Sequence, residues 1–213
     1  MSRWPPDAHG RLIRAALDLY TERGYEQTTV VDIAQRAGVT ERTFFRYFAD
    51  KREVLFDGSH ALEELLVATL RGLPTSTAPI DAVAAALEKA AILLDDRRDF
   101  ARQRAAAISA NPSLQERELL KLASLGAAAT TALRRRGVPY AAASLAAEAG
   151  ITVFKVAFER WIENDSSTDV AHCIRETFQE LKALTAPMSP QPHPDLASAA
   201  SVSEAHTSAS SNH

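Results

Sequence analysis

The stretch Thr29-Val-Val-Asp-Ile-Ala-Gln-Arg-Ala-Gly-Val-Thr40 decides the fold. Thr29 has N-cap chemistry: its hydroxyl can accept from the free backbone N–H groups that open a helix, and Asp32, three residues on, suits the positive end of the helix dipole. The short helix so opened ends at Ala37-Gly38, where glycine takes the positive φ of a tight turn. Thr40 caps a new helix. Ile33, Ala34, Ala37 and Val39 are small or apolar, which lets the two helices cross closely. Helix, glycine turn and capped second helix make the pattern of a helix-turn-helix.

The second helix reads Glu41-Arg-Thr-Phe-Phe-Arg-Tyr-Phe48. At 3.6 residues per turn, Phe44 and Phe48 share a face, expected to point inward. Arg42 and Arg46 share the opposite face, flanked by Thr43 and Phe45. Two arginines four residues apart on an exposed helix suit the major groove, because a guanidinium pairs bidentately with guanine O6 and N7. Thr40 and Thr43 can bond phosphate or base. Lys51 is expected to open the following helix and to hold a phosphate beside its free N–H groups.

Whole-chain numbers bound the rest. The 213 residues are 46% apolar and 24% charged, as in globular proteins, so a sizeable core is affordable. A net charge of −3 excludes a uniformly basic nucleic-acid or membrane coat. Residues 36–52 carry five basic and two acidic side chains, whereas residues 1–56 carry nine against eight, so the basic signal is local. The single cysteine, Cys173, excludes an intramolecular disulfide and fits a reducing compartment. The opening MSRWPPDAHG lacks the apolar run of a secretory signal. No apolar run reaches the roughly 18 residues of a span, and the densest, Ile151 to Phe158, is interrupted by Lys155. The expected location is the cytoplasm, away from membranes.

Ala, Leu, Arg and Glu dominate and β-branched alternation is nearly absent, so the expected class is all-α. Punctuation predicts nine helices: Ala8 to Arg23, between an Asp7 cap and Gly24; Thr29 to Ala37; Thr40 to Tyr47; Lys51 to Leu70; Pro79 to Leu94; Arg97 to Ser109; Pro112 to Arg136, after an Asn111 cap and before Gly137; Pro139 to Glu163; and Thr168 to Leu184. From Thr185 to His213 the chain holds four Pro, seven Ser and two charged residues, too little apolar surface to offset its ordering entropy. The expected organisation is a DNA-binding unit over residues 1–56, a helical unit over 57–184 and a disordered tail over 185–213.

Arg11 to Leu55 resembles the DNA-binding domain of the TetR/AcrR family of bacterial transcriptional regulators. The matching stretches are Ala15 to Tyr20 with Gly24-Tyr25, Thr28 to Ala34 with Ala37 to Thr40, and Thr43 to Phe48 with Lys51. The resemblance implies a C-terminal ligand and dimerisation domain and a non-enzymatic function. It implies phosphate contacts from Thr29, Thr40, Tyr47 and Lys51, and a recognition helix centred on Thr43 and Phe45. Phe45 stands where the family commonly has tyrosine, and Glu41-Arg42 replaces a frequent Lys-Gly pair, so base preference does not transfer. The expected partners are double-stranded operator DNA, a second copy of the chain and a small-molecule effector. A repressor freed by that effector is the expected function; the alternatives are an architectural helix-turn-helix protein without an effector and, less in keeping with the residues, a helical enzyme or carrier.

In the second half, the helix from Pro139 is apolar on two sides. Ile151, Phe154, Phe158, Trp161 and Ile162 fall in one arc, with Ala149, Val153 and Val156 roughly opposite. Such a helix lies deep in a core or between its own core and a partner. The last helix carries the stripe Val170, Ile174, Phe178 and Leu181. Ala149, Val153, Val156 and that stripe are the expected dimer interface, an arrangement the family resemblance implies. The alanine-rich middle either lets helices approach closely or leaves a cavity; candidate ligand contacts are Phe100, Arg104, Leu122, Leu125, Phe154 and Phe158. Phe100 to Phe158, with Asn111-Pro112 and Arg134-Arg135-Arg136-Gly137, is similar to the C-terminal domain of mycofactocin-regulator-like members, which implies an acyl-CoA or similar lipophilic effector. The six histidines show no metal-ligand spacing and no cofactor motif is present. His172 and Cys173 point about 100° apart and make no dyad. Cys173 reads as a small buried hydrophobe, with a redox sensor as the alternative.

Overall fold

The computed structural model describes residues 7–94, 97–164 and 168–186; the expectation of a disordered tail falls, from residue 187 on, outside the described residues. Among them are nine α-helices and no strand. They are α1 (Ala8–Arg23), α2 (Val30–Arg36), α3 (Glu41–Tyr47), α4 (Ser59–Gly72), α5 (Pro79–Ala90), α6 (Arg98–Ser109), α7 (Pro112–Arg135), α8 (Tyr140–Glu163) and α9 (Val170–Thr185). Short 3-10 turns cover Glu53–Phe56 and Ala91–Leu93.

Local chemistry explains the boundaries. Asp7 caps α1 by accepting from the Gly10 N–H, and Gly24 ends it at φ 84°. Asn111 accepts from the N–H groups of Ser113 and Leu114, and Pro112 occupies the first turn of α7. The expected helix from Lys51 to Leu70 is two pieces. The Asp50 carboxylate takes the N–H groups of Arg52 and Glu53, a tight turn follows, and the chain re-starts at Ser59, whose hydroxyl donates to the Phe56 carbonyl.

Two hydrophobic clusters form. The first joins α1, α2, α3 and the turn at Glu53–Phe56, around Leu12, Ile33, Phe44 and Val54. Ile108 from α6 and Leu114 from α7 enter it, so the N-terminal core draws on the second half of the chain. The second unites α4, α5, α7, α8 and α9 around Leu66, Leu87, Leu133, Trp161 and Ile174. Each such buried side chain contributes about 1.5–3 kcal/mol.

The alanines serve close approach. Gly150 of α8 lies so near α5 that an added Cβ would sit 2.3 Å from Cγ1 of Val83. Ala82, Ala86, Ala90, Ala143 and Ala147 are fully buried around this crossing. A groove of about 380 Å³ between α4 and α7, lined by Val67, Arg71, Ala127, Ala128 and Arg135 among others, is open to solvent.

By length and composition alone α8 could cross a membrane: its 24 residues include a window of mean hydropathy 1.4. This is a window average and not an unbroken apolar run: Glu148 and Lys155 interrupt the helix sequence, and its alanines and aliphatics supply the hydropathy. Part of its surface is packed on α5, α7 and α9, and the rest is left outward.

Candidate nucleic-acid interface

α3 is built from its caps outward. The Thr40 hydroxyl accepts from the Thr43 N–H at 3.2 Å, and the two threonine hydroxyls lie 3.1 Å apart. Gly38 turns the chain at φ 67°. Phe44 and Phe48 face inward and are buried, as their spacing predicts. The outer face carries Glu41, Arg42, Phe45 and Arg46, with Thr43 half-buried at its edge. Phe45 is 55% exposed, a large apolar ring held in water in an edge-to-face contact with Phe44, ring centres 5.4 Å apart.

Pairing decides which charges are available. Arg36 is engaged bidentately by Glu22 at 2.8 and 2.7 Å, and Arg52 by Asp50 at 2.7 Å. Among the described residues Arg42 makes no ion pair or hydrogen bond. Arg46 stacks on Tyr47, 4.8 Å from its ring centre, and donates to its hydroxyl at 3.1 Å. Two guanidiniums, an exposed phenyl ring and a 42%-exposed tyrosine therefore lie on or beside one helix face. That set suits groove and phosphate contacts together.

Two expected phosphate ligands are placed otherwise. The Lys51 ammonium turns inward, donating to the carbonyls of Tyr25 at 2.8 Å and Thr28 at 2.9 Å over the Tyr25 ring. Its backbone carbonyl accepts from the buried Tyr20 hydroxyl at 2.6 Å, and burial raises that phenol's pKa. No free helix N-terminus follows it, since Asp50 has taken the N–H groups there. The Thr29 hydroxyl is likewise spent: it donates to Asp32 at 2.6 Å and accepts from the Asp32 N–H. That bond from the Thr29 side chain, then the Thr29 N–H and Arg23, hold the Asp32 carboxyl below its ordinary pKa. Lys51 and Thr29 thus organise the helix-turn-helix internally.

The expected dimer residues divide. Val153, Val170, Ile174 and Phe178 are enclosed by the chain's own core and present no surface to a second copy. Ala149, Val156 and Leu181 stay partly exposed. The outward line of α8 is Leu145, Ala149, Thr152 and Val156; Leu145, missed in the sequence, is 73% exposed. Its spacing of i, i+4, i+7 and i+11 was the available signal.

The six expected ligand contacts do not converge. Leu122, Leu125, Phe154 and Phe158 belong to the larger core, whereas Phe100 packs on the N-terminal cluster. Arg104 donates from Nε to the Leu55 carbonyl at 2.6 Å and from Nη1 to Glu118 at 3.0 Å, so no guanidinium awaits an anionic head group there. Cys173 is buried, which pushes its thiol pKa up and makes it a poor nucleophile. No cluster of metal-ligating side chains occurs among the described residues.

Comparison with known proteins is consistent with this arrangement. The chain is 43% identical over 76 residues to the HTH-type transcriptional regulator TcmR of Streptomyces glaucescens, covering 36% of this chain and 34% of that protein. It is 35% identical over 69 residues to the HTH-type transcriptional repressor KstR2 of Mycobacterium tuberculosis, covering 32% and 34%. The chain thus spans about a third of the length of these curated relatives. Among solved structures it is similar to FadR of Thermus thermophilus, a TetR-family transcriptional repressor in complex with lauroyl-CoA, at 26% identity and a TM-score of 0.52, over 87% of this chain and 99% of that one. Residues 77–186 match the model of the MftR C-terminal domain, and residues 12–57 that of bacterial regulatory proteins of the tetR family. With the α2–turn–α3 geometry under one match and α5 to α9 under the other, the chain belongs to the TetR family of bacterial regulators.

Proposed function

We propose that this chain is a homodimeric transcriptional repressor that binds operator DNA through α3 and is released by a small amphipathic effector. The observation that carries the reading is the outer face of α3, where Arg42, Arg46, Thr43 and Phe45 stand together while neighbouring cations are paired or turned inward. Glu41 and Thr40 flank that face, and Tyr47 lies at its end. Residues 1–56 read DNA in this account, residues 57–184 hold the effector and the second copy, and the protein works in the cytoplasm.

A second copy docks on the outer line of α8, Leu145, Ala149, Thr152 and Val156, with Leu181 of α9 at its margin. One seven-residue helix reads few bases; two related by a two-fold read half-sites about 34 Å apart. An effector acts by changing that separation, and must bind the two conformations with different affinities. The lauroyl-CoA complex of the Thermus protein supports an acyl-CoA class of effector, and Leu122, Leu125, Phe154 and Phe158 supply the apolar lining. α5 and α8 meet closely at Gly150 and Val83, so an acyl chain entering between those two helices would part them, which couples binding to shape.

The test is a mobility-shift titration on the DNA upstream of the chain's own gene, with an unrelated duplex of equal length and lauroyl-CoA as competitor. Binding to the upstream DNA alone, reversed by lauroyl-CoA, is expected. The close α5–α8 crossing favours one other reading, a regulator without an effector. Calorimetric titration separates the two: no heat with acyl-CoAs of several chain lengths selects the second.

A further inference from the structure

The turn Glu53–Phe56, which follows the recognition helix, is held from behind by three cations. From α6, Arg104 donates to the Leu55 carbonyl and lies 4.9 Å from the Phe56 ring centre. From α7, Arg117 and Lys121 each take one oxygen of Glu53, at 2.5 and 3.1 Å. Glu118, between them, pairs with Arg104 and ties the two helices together. The other half of α6 is anchored far away: Arg98 and Arg102 donate to the carbonyls of Ile162 and Asn164 at the end of α8 and of Thr168 just before α9.

The remaining contact between the N-terminal cluster and α6–α7 is the apolar packing of Phe100, Ile108 and Leu114, which has no direction, and one polar bond at the α6–α7 junction, from Asn111 to Glu26 at 2.9 Å, away from the turn. The polar bonds fix an angle. Fully exposed ion pairs would add little, but Glu53 and Arg104 are about four-fifths buried, so a partner lost leaves a charge in poor solvent.

We propose that Arg104, Arg117 and Lys121 form a latch on Glu53–Phe56 that fixes the tilt of the recognition helix, making them positioning residues that set the accepted half-site spacing without touching a base. This rests on the dimeric operator-binding reading above. A latch joined through α6 to the end of α8 also gives a shape change at the paired helices a stiff route to α3.

The test uses the full chain. Random duplex DNA is selected with the natural protein, and the recovered palindrome is re-made with base pairs added or removed at its centre. Affinities are measured for the natural chain, Glu53→Gln, the double variant Arg117→Met/Lys121→Met, and the charge swap Glu53→Arg/Arg117→Glu. The natural chain is expected to discriminate sharply between spacings. Glu53→Gln and the double variant should lower that discrimination roughly ten-fold while leaving single-base preferences unchanged, and the swap should restore part of it. Unchanged spacing discrimination in both folded variants, or an equal loss of affinity at every spacing, overturns the latch. Recovery of no palindrome by the natural chain overturns the dimeric reading, and the latch with it.

Discussion

At the scale of single residues, Arg42, Arg46 and Lys51 take opposite roles. All three are basic and close in sequence, yet Arg42 and Arg46 face outward while Lys51 is enclosed by the carbonyls of Tyr25 and Thr28. Arg42→Ala and Arg46→Ala are each expected to cost about 1–3 kcal/mol of specific binding, read as affinity for operator against scrambled duplex, with the thermal midpoint unmoved. Lys51→Met should do the opposite. It removes charged hydrogen bonds worth roughly 1.5–3 kcal/mol each, so the melting temperature falls while the salt dependence of binding by the folded fraction stays put. A reduced salt slope in that variant would return Lys51 to the phosphate contacts. Glu53 gives a pH signature. Burial raises its carboxyl pKa, but bonds from Arg117 and Lys121 outweigh that and hold it below the ordinary value. Stability from this pair is therefore fully present above the ordinary glutamate pKa and is lost as pH falls through the lower, folded value. The melting-temperature gap between the natural chain and Glu53→Gln should narrow on acidification through that window.

At the scale of elements, what was legible in the sequence was local. Thr29, Thr40, Asn111 and Gly38 set helix ends through bonds to residues two to four away, and Phe44 with Phe48 declares an inner face by spacing alone. The inward turn of Lys51 depends on residues 23 and 26 positions distant, and Arg104 reaches 49 positions back to Leu55; no window of sequence holds both ends. The face of α8 that looks outward was ambiguous for a different reason. The helix is apolar on most sides, and only packing against α5, α7 and α9 selects which apolar line remains. Val153 went in and Leu145 stayed out. Leu145→Glu and Val156→Glu should therefore halve the sedimenting mass without unfolding the chain; an unchanged dimer would move the interface elsewhere. The α5–α8 crossing gives a second check. Gly150→Ala drives a methyl toward Val83 and should cost about 1–3 kcal/mol, a fall of a few degrees in melting temperature, which Val83→Ala partly repairs.

At the scale of the molecule, the two hydrophobic clusters are not independent. Ile108 and Leu114 sit in the N-terminal core, Asn111 donates to Glu26 at 2.9 Å, and the cations of α6 and α7 grip the turn behind α3. The helical second half and the recognition helix are therefore joined by packed side chains, the physical connection that the proposed ligand control requires. The most direct measurement is an anisotropy titration of the full chain and Arg46→Ala on the duplex upstream of its own gene and on an unrelated duplex, at one stated salt concentration. The account predicts tight binding by the natural chain to the upstream duplex alone, weakened in the variant. Equal, weak binding of both proteins to both duplexes would contradict it.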